Sequence, residues 1–225
     1  MIELDGASYG YGGGTLLDGL SLTLAPGSFH FLTGPSGAGK TTLMRLCYGD
    51  LKPTGGTVRL FGADSREVGR DDLAHARRRI GVVHQDCRFL DHLPIHENIA
   101  LPLTVAGRVD ASTGGNLSAL LDWVGLRERF YARPPELSGG ERQRAALARA
   151  VIMDPEVILA DEPTGNVDWE MSQRLLALLL ELNRMGKTIL VATHDLALIR
   201  AAKQQAQARV LRLAGGHLQT AGSDL

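Results

Sequence analysis

The chain has 225 residues, 44% of them hydrophobic, a composition typical of a folded domain and not of a disordered segment. Its formal net charge is −1 at pH 7, so no overall field would attract nucleic acid or an anionic membrane. The richest apolar run, residues 175–180, is far shorter than the roughly 20 residues of a transmembrane helix, and residues 1–5 lack the features of a signal peptide. The composition predicts a cytoplasmic protein that reaches a membrane only through another protein, with no nucleic-acid partner.

The predicted elements alternate between strands and helices over most of the chain. Runs of apolar residues, or of alternating apolar and polar residues, predict strands over 16–24, 29–33, 57–61, 80–83, 157–160 and 188–192. Helices are predicted near residue 40 and after each of the last two strands, and residues 209–216 predict a small terminal hairpin. Such alternation is typical of an α/β fold.

One long segment interrupts the alternation. From about residue 89 to 137 the pattern is helical, and a glycine-rich stretch near 112–115 is predicted to break it. We interpret the region of about 87–154 as a helical subdomain inserted into a core made of about 1–86 and 155–225. The whole chain is thereby predicted to form a single domain.

A glycine-rich loop follows the predicted strand over 29–33. Residues 34–41 match the pattern G-x-x-x-x-G-K-[ST] in full, and a helix follows, as the phosphate loop of nucleotide-binding proteins requires. The glycines let backbone N–H groups converge on phosphate oxygens, while Lys40 would reach the β- and γ-phosphates and the Thr41 hydroxyl would bind Mg²⁺. The predicted nucleotide-binding residues here are Gly34, Pro35, Ser36, Gly37, Ala38, Gly39, Lys40, Thr41 and Thr42.

Two acidic residues come directly after the apolar run Val157–Ala160. Parallel strands of an α/β sheet deliver the residues that follow them to the edge where ligands bind. Asp161 is therefore predicted to hold the metal ion, and Glu162 to orient and deprotonate the attacking water. Together with the phosphate loop, this pair predicts hydrolysis of a nucleoside triphosphate.

A second anion site is predicted at Ser138, Gly139 and Gly140. These residues precede a helix, whose N-terminal N–H groups and positive dipole end favour a phosphate. The full run Leu137–Arg144 resembles the signature motif of the ABC-type ATPases. In that family the signature of one subunit closes over the phosphate loop of the other.

This resemblance extends from Ile2 to about Gly216 and implies the fold and the cofactors. The implied fold is an α/β P-loop fold with a mixed sheet core, an N-terminal antiparallel β subdomain and an inserted helical subdomain. The implied cofactors are ATP and Mg²⁺, and the implied partner is a second copy of the chain, with two ATP molecules bound between the copies.

Further site residues follow from the resemblance alone. Gln85 matches the glutamine that joins metal and water and senses a membrane partner, and His194 matches the switch histidine at the γ-phosphate. Asp168, in the loop of Asn166, Val167 and Asp168, matches the residue that bridges the dimer. The resemblance therefore implies that Glu162, His194, Gln85 and Lys40 act in catalysis, that Thr41, Gln85 and Asp161 bind metal, and that Asp168 contacts nucleotide.

An aromatic side chain that stacks on adenine is also implied. Tyr11 matches that position, and Tyr9 is the alternative, because three glycines follow Tyr11 and leave the register open. We favour Tyr11, since stacking on a base needs only an exposed ring face.

Residues 31–39, 85–90 and 97–103 resemble most the FtsE family of bacterial cell-division ATPases. That resemblance implies an integral membrane partner like FtsX, contacted through Asp86–Leu93, and a place on the inner face of the plasma membrane. It further implies that ATP hydrolysis regulates septal cell-wall hydrolysis. Phe89 and Leu90 are interpreted either as an exposed groove for the partner or as core packing.

Two other functions are compatible with these motifs. One is the ATPase of a lipoprotein-release or efflux transporter of the LolD or MacB kind, which shares the signature and the residues 160–166. The other is a soluble ABC-type ATPase that acts in DNA repair or translation. The sequence contains neither a second cassette nor a long coiled-coil insertion, which argues against the latter.

Overall fold

The computed structural model describes residues 1–165 and 167–220. Asn166 of the predicted dimer-bridging loop and residues 221–225 lie outside the described residues. The strands are β1 Ile2–Tyr11, β2 Gly14–Leu24, β3 Phe29–Thr33, β4 Gly55–Leu60, β5 Ala63–Asp64, β6 Ile80–Val83, β7 Val157–Asp161, β8 Thr188–Ala192, β9 Ala208–Ala214 and β10 His217–Thr220. The helices are α1 Lys40–Cys47, α2 Arg70–Arg78, α3 Ile95–Val105, α4 Thr113–Trp123, α5 Gly139–Val151, α6 Trp169–Arg184 and α7 Leu196–Lys203.

The strands form two sheets. The first is antiparallel, in the order β2-β1-β4-β5, and the second has the order β10-β9-β3-β8-β7-β6. In the second sheet all neighbouring strands are parallel except β9 and β10. The predicted terminal hairpin is therefore confirmed, and its first strand also extends the parallel sheet beside β3.

The parallel sheet is covered on both faces, because its central strands are buried along their whole length. Successive residues of a strand face opposite sides. Leu32 therefore packs with α1 and the antiparallel sheet, whereas Phe31 packs with α6 and α7. One face of α6 packs on this side, since Leu175, Leu176, Leu179, Leu180 and Leu182 are buried in the second of these clusters.

Helices α3, α4 and α5 lie between β6 and β7 in sequence and enclose a third apolar cluster. The prediction that glycines break this region near 112–115 is wrong, because Gly114 and Gly115 lie in the first turn of α4. The chain turns just before them, where Asp110 Oδ1 accepts hydrogen bonds from the backbone N–H and hydroxyl of Ser112 at 2.9 and 2.7 Å. Gly107, with φ 65° just after α3, thus ends that helix, and the bonds of Asp110 to Ser112 hold the turn that precedes α4.

Strand β1 was not predicted from the sequence. Gly6 has φ 56°, and the pairing of β1 with β2 shifts register between Leu4 and Ala7, which obscures the alternation that identifies a strand. No helix among the described residues has both the length and the apolar character needed to cross a membrane.

Candidate active site

The phosphate loop connects β3 to α1, and its glycines have conformations that other residues rarely adopt. Gly37 and Gly39 have φ values of 78° and 101°. A Cβ atom on Gly34 would lie 2.3 Å from the carbonyl oxygen of Leu213 in β9. No side chain caps the first turn of α1, so its N–H groups remain available to an anion.

Lys40 lies at the start of α1 with its ammonium group folded over the loop. Its Nζ atom donates to the carbonyl oxygens of Gly34 and Pro35 at 2.9 and 3.3 Å and lies 3.9 Å from Oε1 of Glu162. Neutral carbonyl oxygens attract a cation less than charged phosphate oxygens do, so a triphosphate would compete well for Lys40.

A cavity of about 440 Å³ joins the loop to the carboxyl ends of β6, β7 and β8. Most of its lining residues are site residues predicted from the sequence, and they come from segments far apart in the chain. Two others, Leu16 and Gly165, carried no chemical signal in the sequence. The lining residues are Leu16, Ser36, Gly37, Gly39, Lys40, Thr41, Thr42, Gln85, Asp161, Glu162, Gly165 and His194.

Asp161 and Thr41 form a pair of hard oxygen ligands. The Thr41 hydroxyl donates to Oδ2 of Asp161 at 2.7 Å. Burial raises the pKa of Asp161, and the charge of Glu162 acts in the same direction, whereas the bond from Thr41 and the charge of Lys40 oppose them. A nearby cation would relieve this penalty.

This oxygen pair fits Mg²⁺. In the described part of the chain no three His, Cys, Asp or Glu side chains are grouped closely enough to hold a metal ion by themselves. Mg²⁺ in nucleotide sites takes most of its ligands from phosphates and water and needs only one or two protein oxygens. A hydroxyl and a buried carboxylate beside a phosphate loop meet that need.

Glu162 has an unusual backbone conformation for a residue with a side chain, with φ 46°. A left-handed conformation costs about 1–2 kcal/mol for such a residue. Its N–H group donates to the carbonyl oxygen of Ala192 at 2.8 Å, which holds β7 and β8 together at this point. The strained turn directs the carboxylate into the cavity, where it is almost buried.

His194 follows β8 and contacts this carboxylate. Its Nδ1 atom lies 3.1 and 3.0 Å from the two oxygens of Glu162, and its side chain is 74% exposed. Gln85 follows β6, is exposed and lines the same cavity. The three polar residues thus come from the ends of three neighbouring strands.

The sequence pattern of the ABC transporter family matches residues 17–165. The chain belongs to the ABC transporter family. Among its relatives are the cell division ATP-binding proteins FtsE of Haemophilus influenzae, 44% identical over 89% of this chain and 93% of the relative, and of Escherichia coli K12, 42% identical over 97% of each. A solved structure of similar fold is that of the dimeric ATP-binding cassette MJ0796 bound to ADP and Pi, with a TM-score of 0.86 and 32% identity over 98% of both chains.

These comparisons confirm the predicted ABC-type ATPase, the predicted fold and the similarity to FtsE. They do not favour the alternative of a lipoprotein-release or efflux ATPase, since both relatives are named for cell division. The chain is thus an ABC-type ATP-binding cassette.

The signature residues of the cassette lie outside the cavity. Ser138 caps α5: its hydroxyl accepts from the Glu141 N–H at 3.3 Å, and Glu141 accepts from the Ser138 N–H at 2.8 Å. Ser138 and Gly139 are exposed, whereas Gly140 is buried against Met171, with no room for a Cβ atom. The motif therefore forms an exposed helix end that is capped by its own side chains.

Asp168 also lies outside the cavity that the phosphate loop lines. Its carboxylate caps α6 by accepting from the backbone N–H of Met171 at 2.8 Å. The preceding Asn166 lies outside the described residues, so the geometry of the predicted bridging loop is known only at Val167 and Asp168.

The two candidate tyrosines differ in exposure. Tyr11 is 51% exposed, and its hydroxyl accepts from Arg45 on α1 at 3.4 Å. Tyr9 is half-buried and packs against the core, with its ring edge-on to that of Tyr11 at 5.0 Å. Only Tyr11 therefore offers a free ring face.

A second cavity of about 470 Å³ lies on the other side of the phosphate loop. It includes Pro35 and Ala38, which do not line the first cavity, together with Gly215, Gly216 and His217 of the terminal hairpin. Sequence analysis did not connect the hairpin with the site, because the contact depends on the long-range pairing of β9 with β3.

The segment Asp86–Leu93 divides between the surface and the core. Phe89 packs against the second and third apolar clusters, and Leu90 is 44% exposed. Arg88 lines a groove of about 550 Å³ that Leu101, Pro102 and Val105 of α3 also border. Of the two interpretations, core packing therefore describes Phe89 and an exposed position describes Leu90.

Proposed function

We propose that the cassette hydrolyses ATP at two sites, each formed by the phosphate loop of one chain and the signature of a second copy, and that this drives a membrane partner in cell division. The observation that carries the proposal is the separation of the two anion-binding motifs. The phosphate loop lines a cavity with both acidic residues, whereas exposed Ser138 and Gly139 lie outside it.

Binding of ATP rests on the phosphate loop. Lys40 exchanges its loop carbonyls for the β- and γ-phosphate oxygens, and the first N–H groups of α1 bind the same phosphates. Thr41, Asp161 and Gln85 would hold Mg²⁺, which would neutralise developing charge on the phosphate oxygens. Tyr11 stacks on the adenine, and Pro35, Ala38 and Thr42 shape the loop around the phosphates.

Hydrolysis rests on Glu162. Its carboxylate accepts a proton from a water molecule as the water oxygen bonds to the γ-phosphorus and the bond to the β–γ bridging oxygen breaks, giving ADP and phosphate. His194 holds the carboxylate from the solvent side, at 3.0 Å, and turns to the γ-phosphate when ATP is bound. Gln85 orients the water from the end of β6.

The dimer completes each site. Ser138, Gly139 and Gly140 of one copy bind the γ-phosphate held by the other copy, with α5 directing its positive end toward the anion. Asp168 lies at the N-terminus of α6, against the signature through the contact of Gly140 with Met171, and bridges the copies there. The dimeric form of the similar cassette MJ0796 supports this arrangement.

The membrane partner resembles FtsX and docks in the groove that Arg88 and α3 border, on the cytoplasmic side of the membrane. Arg77, Arg78 and Arg149 also line the groove, and none of its lining residues is Asp or Glu. Such a surface favours a segment that carries both apolar and acidic residues. Both FtsE relatives are named for cell division, which supports regulation of septal cell-wall hydrolysis and not transport.

Replacing Glu162 tests the ATPase proposal. Glu162→Gln should lower turnover by on the order of a hundredfold or more, because the base is lost while the phosphate and metal contacts remain. With Mg²⁺ and ATP the variant should accumulate as a dimer, measured by light scattering, and Glu67→Gln, an exposed glutamate outside the cavity, should behave as wild type. Undiminished turnover in Glu162→Gln would refute the assignment.

Replacing Arg88 tests the docking groove. Arg88→Glu should reduce co-purification with a co-expressed FtsX-type membrane protein, because it places a negative charge in a basic groove. ATP binding by the isolated variant should stay near wild type, and Arg174→Glu on the exposed face of α6 is the control. Unchanged co-purification with Arg88→Glu would exclude this groove as the docking site.

A further inference from the structure

The side chain of Arg149 joins α5 to the loop that follows Gln85. The guanidinium of Arg149 donates to the carbonyl oxygens of Cys87 and Arg88 at 2.5 and 2.7 Å. It also lies over the ring of Phe89, 4.6 Å from its centroid. Three consecutive residues of the loop are therefore held by one side chain.

The backbone conformation of the loop matches this contact with Arg149. Cys87 and Arg88 have φ values of 55° and 34°, so two consecutive residues with side chains adopt the left-handed region. That region is unfavourable for both, and it turns their carbonyl oxygens toward Arg149. A strained loop held by a specific donor pair is expected where position matters for function.

Arg149 depends on the loop in turn. Its side chain is half-buried, and within residues 1–165 and 167–220 no carboxylate lies within ion-pair distance of it. A guanidinium removed from water needs other acceptors. The two carbonyl oxygens and the Phe89 ring supply them, so movement of the loop away from α5 would leave this charge without its partners.

Two more contacts tie α5 to the same strand and loop. Gln143 donates through Nε2 to the backbone oxygen of Gln85 at 3.5 Å. At the other end of the helix, a Cβ atom on Gly81 of β6 would lie 2.3 Å from the carbonyl oxygen of Ala150, so strand and helix backbones are in direct contact. The attachment extends along most of α5.

The N-terminus of α5 carries the signature. From the signature at Ser138 to the contact at Arg149, helix α5 rises about 17 Å at 1.5 Å per residue. Because a helix is stiff over that length, a displacement of the Gln85 loop is passed to the residues that the second copy meets.

We propose that Arg149 is a positioning residue that makes the Gln85 loop and the signature helix move as one unit. The contact of Gln85 with nucleotide in one site then orients the signature that the same chain presents to the other site. The proposal rests on the two-chain ATPase function proposed above, and it assigns to Arg149 no contact with nucleotide.

A double-mutant cycle tests it. Arg149→Met should lower turnover by about tenfold, with the ATP dissociation constant of the monomer changed by less than about twofold. In a Gln85→Ala background the loop no longer contacts the nucleotide. There, adding Arg149→Met should lower turnover by a further factor of less than about two. A side chain that only stabilised the fold would instead give the same factor in both backgrounds.

Two further variants keep the result interpretable. Arg149→Lys can donate to one carbonyl at a time and should have turnover between wild type and Arg149→Met. Arg174→Met removes an exposed arginine of α6 and should match wild type in turnover and in thermal unfolding. Folding of every variant is followed by circular dichroism.

The outcomes separate this inference from the proposed function. If Glu162→Gln retains turnover, the ATPase proposal fails first. If Glu162→Gln is inactive but the losses from Gln85→Ala and Arg149→Met multiply, or Arg149→Met retains full turnover, the ATPase proposal stands and the role of Arg149 is refuted. Failure of both Arg149→Met and Arg149→Lys to fold would make Arg149 a core residue and overturn the inference as well.

Discussion

The phosphate loop and the signature both offer a helix N-terminus to an anion, yet their surroundings differ. The first turn of α1 has no side-chain cap and faces a cavity with Asp161 and Glu162. The first turn of α5 is capped by its own Ser138 and Glu141, and it faces outward. The phosphate loop leaves its helix N–H groups free for a charged ligand. The signature already satisfies them with its own side chains and is stable without a ligand. The difference indicates that a complete site needs two chains.

The largest expected effect comes from removing the cation of the first region. Lys40→Ala should lower turnover by about 10²–10³-fold, since loss of a preorganised charge at a phosphoryl group has effects of that order. ATP binding should weaken as well, measured by equilibrium titration. Lys52→Ala, an exposed lysine that contacts the Arg66 carbonyl, is the control. Normal turnover in Lys40→Ala would exclude this loop as the phosphate site.

Mixing two inactive variants tests whether the phosphate loop of one chain works with the signature of another. Ser138→Arg should retain its phosphate loop but lose a working signature to bind the γ-phosphate of a partner. Mixed with Lys40→Ala, it should recover at most about a quarter of wild-type turnover, because random pairing makes half of the dimers mixed and each has one of two sites intact. Absence of any recovery, at every mixing ratio, would mean that the two regions do not act across chains.

A smaller effect should identify the tyrosine that stacks on adenine. Tyr11→Ala should raise the ATP dissociation constant by about ten- to a hundredfold, since base–aromatic stacking contributes ~1–3 kcal/mol. Tyr9→Ala should lower the thermal unfolding temperature with little change in affinity, because Tyr9 packs against the core. The reverse pattern would assign the stacking role to Tyr9.

The smallest effect concerns the stability of the empty cavity. Burial raises the pKa of Asp161, so the folded chain binds this proton more tightly than the unfolded chain does. Above the raised pKa the charged carboxylate therefore destabilises the fold, and the destabilisation fades as the pH falls toward the ordinary value of 3.8. Without ligands at neutral pH, Asp161→Asn should unfold at a temperature a few degrees higher than wild type.

That difference should shrink as the pH is lowered, and Mg²⁺ with ATP should reverse it, since only the wild type gains from metal binding. Thermal unfolding followed by circular dichroism measures both, with the exposed Asp91→Asn as control. A lower unfolding temperature for unliganded Asp161→Asn would show that the carboxylate stabilises the empty site, contrary to the expected balance.

Residues that act through local geometry could be recognised from the sequence. The phosphate loop needs glycines, a lysine and a hydroxyl within eight positions, and no distant contact is required to place them. The same holds for Asp161 and Glu162, because the end of one buried strand positions both. The central strands were predicted for the same reason, since burial on both faces leaves a continuous apolar run.

Residues that depend on distant contacts could not be recognised in this way. The sequence is equally compatible with Phe89 in an exposed groove and with Phe89 in the core. Only its contacts with two apolar clusters decide between these positions. The helix at Gly114 and Gly115 forms against the local preference of glycine, because Leu117 and Leu121 of α4 are buried in the third cluster. Packing there outweighs propensity.

The sequence by itself determined the nucleotide chemistry, the family and the positions along the chain of the strands that carry the site, since all of these depend on short spacings. Only the tertiary structure decided that Glu162 turns into the cavity through a left-handed backbone, and that the hairpin strand β9 closes over Gly34. It alone shows that Arg149 holds the Gln85 loop against the signature helix. Each of these features joins residues at least 30 positions apart, and a linear pattern contains no measure of that distance.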